Sequence, residues 1–187
     1  MKRFSLADAL LLGALALLFV AVKSVFRFKL GLTGHSMFFV MTTFLLARGL
    51  VPVRGSVIYC GLMVGLLAMI MGMGKGGPLV LLKFMMPAVA LEFALLFLPN
   101  APWRFITAWA VAFVGVLGWA LKGAIEMWLV GAAWELIAVK ALWKTGGGTL
   151  FAGLACLMVP KLLRHLAHHQ LIGEHRVPSW VRKGALV

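Results

Sequence analysis

Apolar runs of membrane length alternate along this chain with short turns of glycine, proline and single charges. Between His35 and Leu98, three such runs are separated by Ala47-Arg48-Gly49 and by the glycine-rich stretch 72–78. A helix needs about 20 mostly apolar residues to cross a bilayer. Over the whole chain, the pattern predicts about six spans, at residues 6–22, 37–51, 57–73, 78–98, 103–121 and 149–163.

Residues 122–144 fit neither a lipid-facing span nor a free loop. They mix charged side chains with tryptophans, namely Lys122, Glu126, Glu135, Lys140 and Lys144 with Trp128, Trp134 and Trp143. We predict an extension of the fifth helix, followed by a helix that lies on the membrane interface or dips into it. A seventh span within residues 124–141 is the alternative. Gly146-Gly147-Gly148 is predicted to break the chain before the last span.

The composition places the whole chain in a membrane. Of its 187 residues, 63% are hydrophobic and only 12% are charged, which is incompatible with a soluble domain of this size. The predicted fold class is therefore all-α, a polytopic helical bundle that forms one integral membrane domain. Cys60 and Cys156 both lie in apolar runs and are predicted to be small core residues.

The basic residues carry a net charge of +13 and cluster at span ends and in a tail at residues 164–187. Basic residues beside a span favour the cytoplasmic side and meet anionic lipid head groups. We expect a multi-pass protein of the inner (plasma) membrane, with both termini cytoplasmic, in contact with membrane lipid and without a nucleic-acid partner. The bias rests largely on the tail, so it does not exclude seven spans.

The glycine-rich stretch around Lys75 matches a phosphate-binding loop only in part. No Ser or Thr follows the lysine and no strand precedes it, so a nucleotide site is rejected. A tight loop remains, whose backbone can approach a ligand closely.

Histidines offer little evidence for a metal. His35 stands at the mouth of the second span, and no second ligand lies four residues on. His165, His168 and His169 have helical spacing but lie in a basic tail without a nearby acid or cysteine. No metal site and no cofactor are predicted.

Lys83 and Glu92 are charged residues within the predicted fourth span. They are nine residues apart, which places them on roughly opposite faces of a helix. Each therefore needs a partner from another helix. An intramembrane carboxylate marks a functional site by default, but a structural tie at the cytoplasmic end of the helix explains Glu92 equally well.

Glu126 and Glu135, with the nearby tryptophans Trp119, Trp128 and Trp134, form the richest polar and aromatic mixture in the chain. Aromatic walls with a few charged groups are typical of a small-molecule pocket, and tryptophans alone are typical of an interfacial belt. The pocket is favoured because glutamates have no reason to lie in a belt. In the first span, Ala9 and Gly13 lie one turn apart and form a face that another helix can approach closely.

Together these features resemble the substrate-binding (S) component of an energy-coupling-factor (ECF) transporter. The resemblance is carried by the small-residue first helix, Gly34-His35-Ser36 at the second span, the glycine-rich third loop, the stretch 87–92, and Gly146-Gly147-Gly148 before a last helix with a basic end.

The resemblance implies a vitamin or related micronutrient bound on the outer side, in a pocket formed by the first, third and fifth loops. It also implies a transmembrane coupling subunit and two cytoplasmic ATPases, whose ATP hydrolysis topples the S component. Ala9 and Gly13 would form the docking face, although the family usually has a pair of alanines there. The pocket would draw on His35, Lys75, Glu126, Trp128 and Trp134.

Two other functions stay open. The first is a small membrane scaffold or accessory subunit that assembles through its glycine and alanine faces and binds no substrate. The second is an intramembrane enzyme, the least favoured of the three functions. The sequence shows no pair of nucleophile and base, and no paired carboxylates at helical spacing. We therefore expect no enzymatic activity in this chain. For a substrate, the outer basic residues suggest an anionic group and the tryptophans a ring.

Overall fold

The computed structural model describes residues 4–25, 34–72 and 79–169. Over these residues it contains six α-helices: α1 Leu6–Val25, α2 His35–Leu50, α3 Ser56–Ile70, α4 Leu79–Phe97, α5 Phe105–Leu129 and α6 Trp134–His168. A short 3₁₀ turn, Ala101–Trp103, precedes α5. The predicted all-α fold class is confirmed.

Four of the helices, α1, α4, α5 and α6, are long and apolar enough to cross a membrane. Helices α2 and α3 are apolar but have only 16 and 15 residues. At 1.5 Å per residue they are about 24 and 22 Å long, shorter than a hydrocarbon core of about 30 Å. The molecule is therefore a helical membrane bundle with four long helices and two short ones.

Helix α1 begins at a capping box. The Ser5 N–H donates to Asp8 Oδ2 at 3.0 Å, and the Asp8 N–H donates back to Ser5 Oγ at 3.2 Å. This reciprocal pair satisfies backbone groups that have no partner inside the helix. Asp8 is only 5% exposed, so the carboxylate in the first turn belongs to the helix start.

Residues 122–144 include the end of one helix and the start of the next. Helix α5 continues to Leu129, a turn follows, and α6 begins at Trp134. Gly131 has a φ of 75° in this turn, and its N–H donates to Trp128 O at 2.9 Å. A glycine in the left-handed region is a common helix terminator.

The three consecutive glycines do not break the chain, because α6 runs through Gly146-Gly147-Gly148 for 35 residues in all. Each glycine costs a helix about 1 kcal/mol relative to alanine, and close packing offsets that cost. A Cβ on Gly34, just before α2, would lie 2.6 Å from the Gly147 carbonyl carbon and from Gly148 N. A Cβ on Gly148 would lie 2.9 Å from Val116 Cγ1. The glycines therefore let the start of α2 approach α5 and α6.

The helices form a closed ring in the order α1, α3, α4, α5, α6, α2, with α2 packed against both α6 and α1. Consecutive helices run in opposite directions. One end of the bundle therefore collects the C-termini of α1, α3 and α5 and the N-termini of α2, α4 and α6. This end carries Lys23, Lys83, Lys122 and Lys144 and is called the lysine end; the other is called the Glu92 end.

Candidate functional site

Three lysines from three different helices surround a cavity at the lysine end. Lys83 comes from α4, Lys122 from α5 and Lys144 from α6, and the cavity has a volume of about 250 Å³. Its remaining walls are Leu79, Val80, Trp119 and Glu126. Residues far apart in the sequence thus place several cations and one aromatic ring around one space.

Lys144 reaches this cavity by crossing the surface of α5. A Cβ on Gly123 would lie 3.5 Å from both Cδ and Cε of Lys144 and would collide with its Nζ. The missing side chain at Gly123 therefore leaves the path for the lysine. Beyond it, Lys144 Nζ lies 5.4 Å from the centre of the Trp119 ring, which is within the range of a cation–π interaction.

Glu126 supplies the negative charge of this cavity and already has a partner. It forms an ion pair with Lys122, four residues earlier on α5, and the two side chains are 40% and 14% exposed. No carboxylate among the described residues forms an ion pair with Lys83 or Lys144. The lining therefore has two more positive charges than negative ones.

The positive charge extends to α1. Lys23 Nζ lies 5.4 Å from the centre of the Phe19 ring and 5.1 Å from that of Phe84. Phe84 directly follows Lys83 on α4, so Lys23 adds a fourth lysine to this end of the bundle.

A second, more open groove of about 700 Å³ adjoins the cavity and shares Glu126 and Lys144 with it. The groove lies between the end of α5 and the start of α6. Most of its other lining side chains are apolar, and the full set is Gly123, Glu126, Met127, Val130, Val139, Lys140, Trp143 and Lys144. The lysine end thus combines a basic inner cavity with an apolar outer groove.

The predicted pocket residues divide into three groups. Glu126 lines both cavities. His35 is the half-buried first residue of α2 at the same end, but it lines neither cavity. Trp128 and Trp134 are 60% and 70% exposed, and they also line neither cavity. Lys75 lies outside the described residues.

Trp119 is the tryptophan of α5 that lines the inner cavity. Sequence spacing contained the signal for it, since Trp119, Lys122 and Glu126 recur at i, i+3 and i+7 and so share one helix face. Trp128 is two residues from Glu126 and points elsewhere. Lys144 carried no comparable signal, because its approach depends on Gly123 of another helix.

Glu92 lies in a different environment, at the opposite end of the bundle. Its Oε1 accepts hydrogen bonds from Gly55 N at 2.8 Å and from Arg48 Nη1 at 3.3 Å, and its Oε2 accepts one from Val57 N at 3.1 Å. Arg48 also donates to Val53 O at 2.6 Å. The carboxylate therefore accepts hydrogen bonds from N–H groups at the start of α3. These contacts tie α4 to the end of α2 and the start of α3, as the structural interpretation of Glu92 predicts.

The predicted docking face lies on the outside of the ring. Ala9 and Gly13 are both half-buried in α1. A Cβ added to Gly13 would meet no heavy atom within 4 Å. The space beside Gly13 is therefore open to another molecule.

No group of three His, Cys, Asp or Glu side chains within the described ranges is arranged to hold a metal ion. Helix α6 extends to His168, so the three predicted tail histidines lie at its end, with 4.4 Å between the rings of His165 and His169. Residues 170–187 lie outside the described part of the chain.

The ring of six helices has a counterpart among solved structures. A crystal structure of an S component of an ECF transporter matches this chain with a TM-score of 0.70 over 98% of both chains. The fold is that of an S component. Sequence identity to that S component is 15%, so the likeness is one of fold. No protein-family model matches the sequence, and no curated protein matches it by sequence comparison.

Proposed function

We propose that this protein is a membrane-embedded substrate-binding subunit that takes up a vitamin or similar micronutrient. The observation that supports this most is the lysine-lined cavity. It lies at the lysine end of an S-component fold, where α1, α3 and α5 end and α2, α4 and α6 begin. The resemblance seen in the sequence implies a pocket formed by the first, third and fifth loops. The proposed binding residues are Lys83, Trp119, Lys122, Glu126 and Lys144.

His35, Trp128 and Trp134 remain proposed contacts at the rim of this site, and Lys75, which lies outside the described residues, remains a proposed substrate contact. His35 begins α2 at the lysine end, and Trp128 and Trp134 flank the turn between α5 and α6. The exposure of the two tryptophans suits an entrance or the membrane interface. In this proposal both termini are cytoplasmic and the lysine end faces outward.

The proposed partners are a transmembrane coupling subunit and cytoplasmic ATPases, so that ATP hydrolysis takes place outside this chain. The face at Ala9 and Gly13 is the proposed contact with the coupling subunit. Small residues let two membrane helices approach closely, and the open space beside Gly13 leaves room for that approach.

Purification from native membranes followed by native mass spectrometry tests this function. We expect a bound small molecule, a coupling subunit and ATPases in the wild-type preparation. Gly13→Leu should lose the subunits and keep the small molecule, because a Cβ at this position meets no heavy atom of this chain within 4 Å. Gly146→Leu is the matched control, since Gly146 also lies in a helix with open space around it.

Membrane proteins as the only partners, with no small molecule and no ATPase, would contradict this function and support the scaffold. An unchanged set of subunits in Gly13→Leu would contradict the docking face alone. Loss of the subunits in Gly146→Leu as well would show that Gly→Leu in any exposed helix disturbs the assembly, and would also contradict docking at Gly13.

A further inference from the structure

We propose that the cavity at the lysine end selects an organic anion, whose carboxylate or phosphate group binds between Lys83 and Lys144 while its ring packs against Trp119. This inference rests on the proposed function and specifies the chemical class of its substrate. The anion comes from the aqueous phase and is not a membrane lipid.

The charges around the cavity do not balance. The chain has only five acidic residues, and Glu126 is one of them. Of the other described acidic residues, Asp8 bonds to Ser5, Glu92 pairs with Arg48, and Glu135 is exposed on α6. Glu174 lies outside the described residues. Three lysines therefore face Glu126 alone, and two of them form no ion pair with a described carboxylate.

Lysines from three helices line one small cavity, Lys83 from α4, Lys122 from α5 and Lys144 from α6. Positive charges placed so close together repel each other, and the repulsion grows as water is excluded. An anion between them replaces repulsion with attraction, whereas a cationic substrate would add to the repulsion. The cavity therefore favours binding of a negatively charged group.

An aromatic ring, Trp119, lies beside one of the two cavity lysines that form no ion pair with a described carboxylate. Lys144 Nζ lies over the Trp119 ring, so an anion bound to this ammonium group has an aromatic surface beside it. A planar ring attached to the anionic group can pack on that surface. The inner cavity of about 250 Å³ is smaller than most ligand pockets, and the adjoining groove offers apolar room for the remainder of the molecule.

Carboxylate and phosphate groups are also carried by anionic phospholipids, and the test must separate the two sources. The protein is placed in nanodiscs of phosphatidylcholine alone, or of phosphatidylcholine with phosphatidylglycerol. Binding is measured by equilibrium dialysis, with empty nanodiscs of the same lipid as blanks. The probes share one ring system and differ in charge: naphthalene-2-carboxylate, its neutral amide, and 2-naphthylmethylammonium.

We expect the carboxylate to bind about tenfold more tightly than the amide, and the ammonium compound not to bind above the blank. Lys83→Gln and Lys144→Gln should each weaken binding of the carboxylate about tenfold. Lys161→Gln is the matched control, because Lys161 is an exposed lysine of α6 outside this cavity, and its binding should equal that of wild type. Glu126→Gln should strengthen binding, a direction that a purely structural role would not produce.

Equal binding of the three probes, preference for the ammonium compound, or no binding of the carboxylate at millimolar concentration would overturn the inference. So would loss of carboxylate binding in discs that contain phosphatidylglycerol, since the cavity would then hold a lipid head group. If the charge preference fails while coupling subunits still co-purify, only this inference fails. If neither subunits nor any small molecule co-purify, the proposed function itself fails.

Discussion

Each end of this bundle places a glutamate beside basic side chains, but the two arrangements differ. At the Glu92 end, the carboxylate is 5% exposed and meets one arginine and two backbone N–H groups. At the lysine end, Glu126 has a 40% exposed side chain and pairs with one of the three lysines around a cavity. The pair between Glu92 and Arg48 is buried and closed, whereas the cavity lining has two more positive charges than negative ones and is open.

The difference separates structure from binding. A buried charge is tolerated in a membrane protein when hydrogen bonds and an opposite charge compensate it, and Glu92 has both. At the cavity, Lys122 pairs with Glu126, whereas Lys83 and Lys144 form no ion pair with a described carboxylate. We infer that the Glu92 end stabilises the fold and that the lysine end binds a ligand.

The largest expected effect is on stability, from Glu92→Ala. This change removes the partner of Arg48 and two acceptors of the α3 backbone, and breaking a buried pair costs about 3–5 kcal/mol. Thermal unfolding in detergent should show a large fall in Tm. Glu135→Ala, at an exposed position of α6, is the control and should change Tm little; equal Tm values for the two variants would remove the structural role of Glu92.

The next effect compares two glycines that precede helices at opposite ends. Gly34 and Gly55 have φ values of 94° and 85°, so alanine is strained at both by about 1 kcal/mol. Only at Gly34 would the new Cβ collide with backbone, 2.6 Å from Gly148 N, whereas Gly55 has nothing within 4 Å. Gly34→Ala should therefore cost about 1–3 kcal/mol more than Gly55→Ala in chemical unfolding. Equal costs would show that α2 and α6 do not meet this closely.

A smaller effect is expected from Gly123→Ala, which tests whether the position of Lys144 matters for binding at the lysine end. The added methyl group occupies the path of Lys144, so the ammonium group should move away from Trp119. Binding of naphthalene-2-carboxylate in phosphatidylcholine nanodiscs should weaken about three- to tenfold with little change in Tm. Gly146→Ala, with open space around it, serves as the control, and identical affinities of the two variants would place Lys144 outside the site.

The smallest stability effect is expected from Glu126→Gln. Partly exposed ion pairs contribute about 0–1 kcal/mol, so Tm should change by only a few degrees at most. Affinity for naphthalene-2-carboxylate should rise, because the substitution removes the negative charge of the cavity. A loss of stability as large as that of Glu92→Ala would erase the contrast between the two ends.

The apolar pattern predicted the helical fold class, because membrane helices are recognisable from local hydrophobicity. It was wrong about Gly146-Gly147-Gly148, where local helix propensity suggested a break. Packing against Gly34, more than a hundred residues earlier in the chain, offsets the low helix propensity of these glycines. Such long-range contacts leave no signal in the local sequence.

The lining of the cavity is only partly readable from the sequence. Proximity to Glu126 in the sequence favours Trp128 and Trp134, whereas the helical face of Glu126 favours Trp119, which lines the cavity. Lys83 was recognised as an unusual membrane charge, yet its neighbours Lys122 and Lys144 come from other helices. Their convergence follows from the order of helices around the ring, which hydrophobic periodicity does not encode.

Thermal unfolding of three proteins, each with and without naphthalene-2-carboxylate, tests the contrast between the two ends most directly. The account predicts that Glu92→Gln has a lower Tm than wild type without the probe but keeps the increase in Tm that the probe produces. It predicts that Lys83→Gln keeps the wild-type Tm and loses most of that increase. If Glu92→Gln instead abolished the increase without lowering Tm, or Lys83→Gln retained it in full, the division between a structural end and a binding end would be wrong.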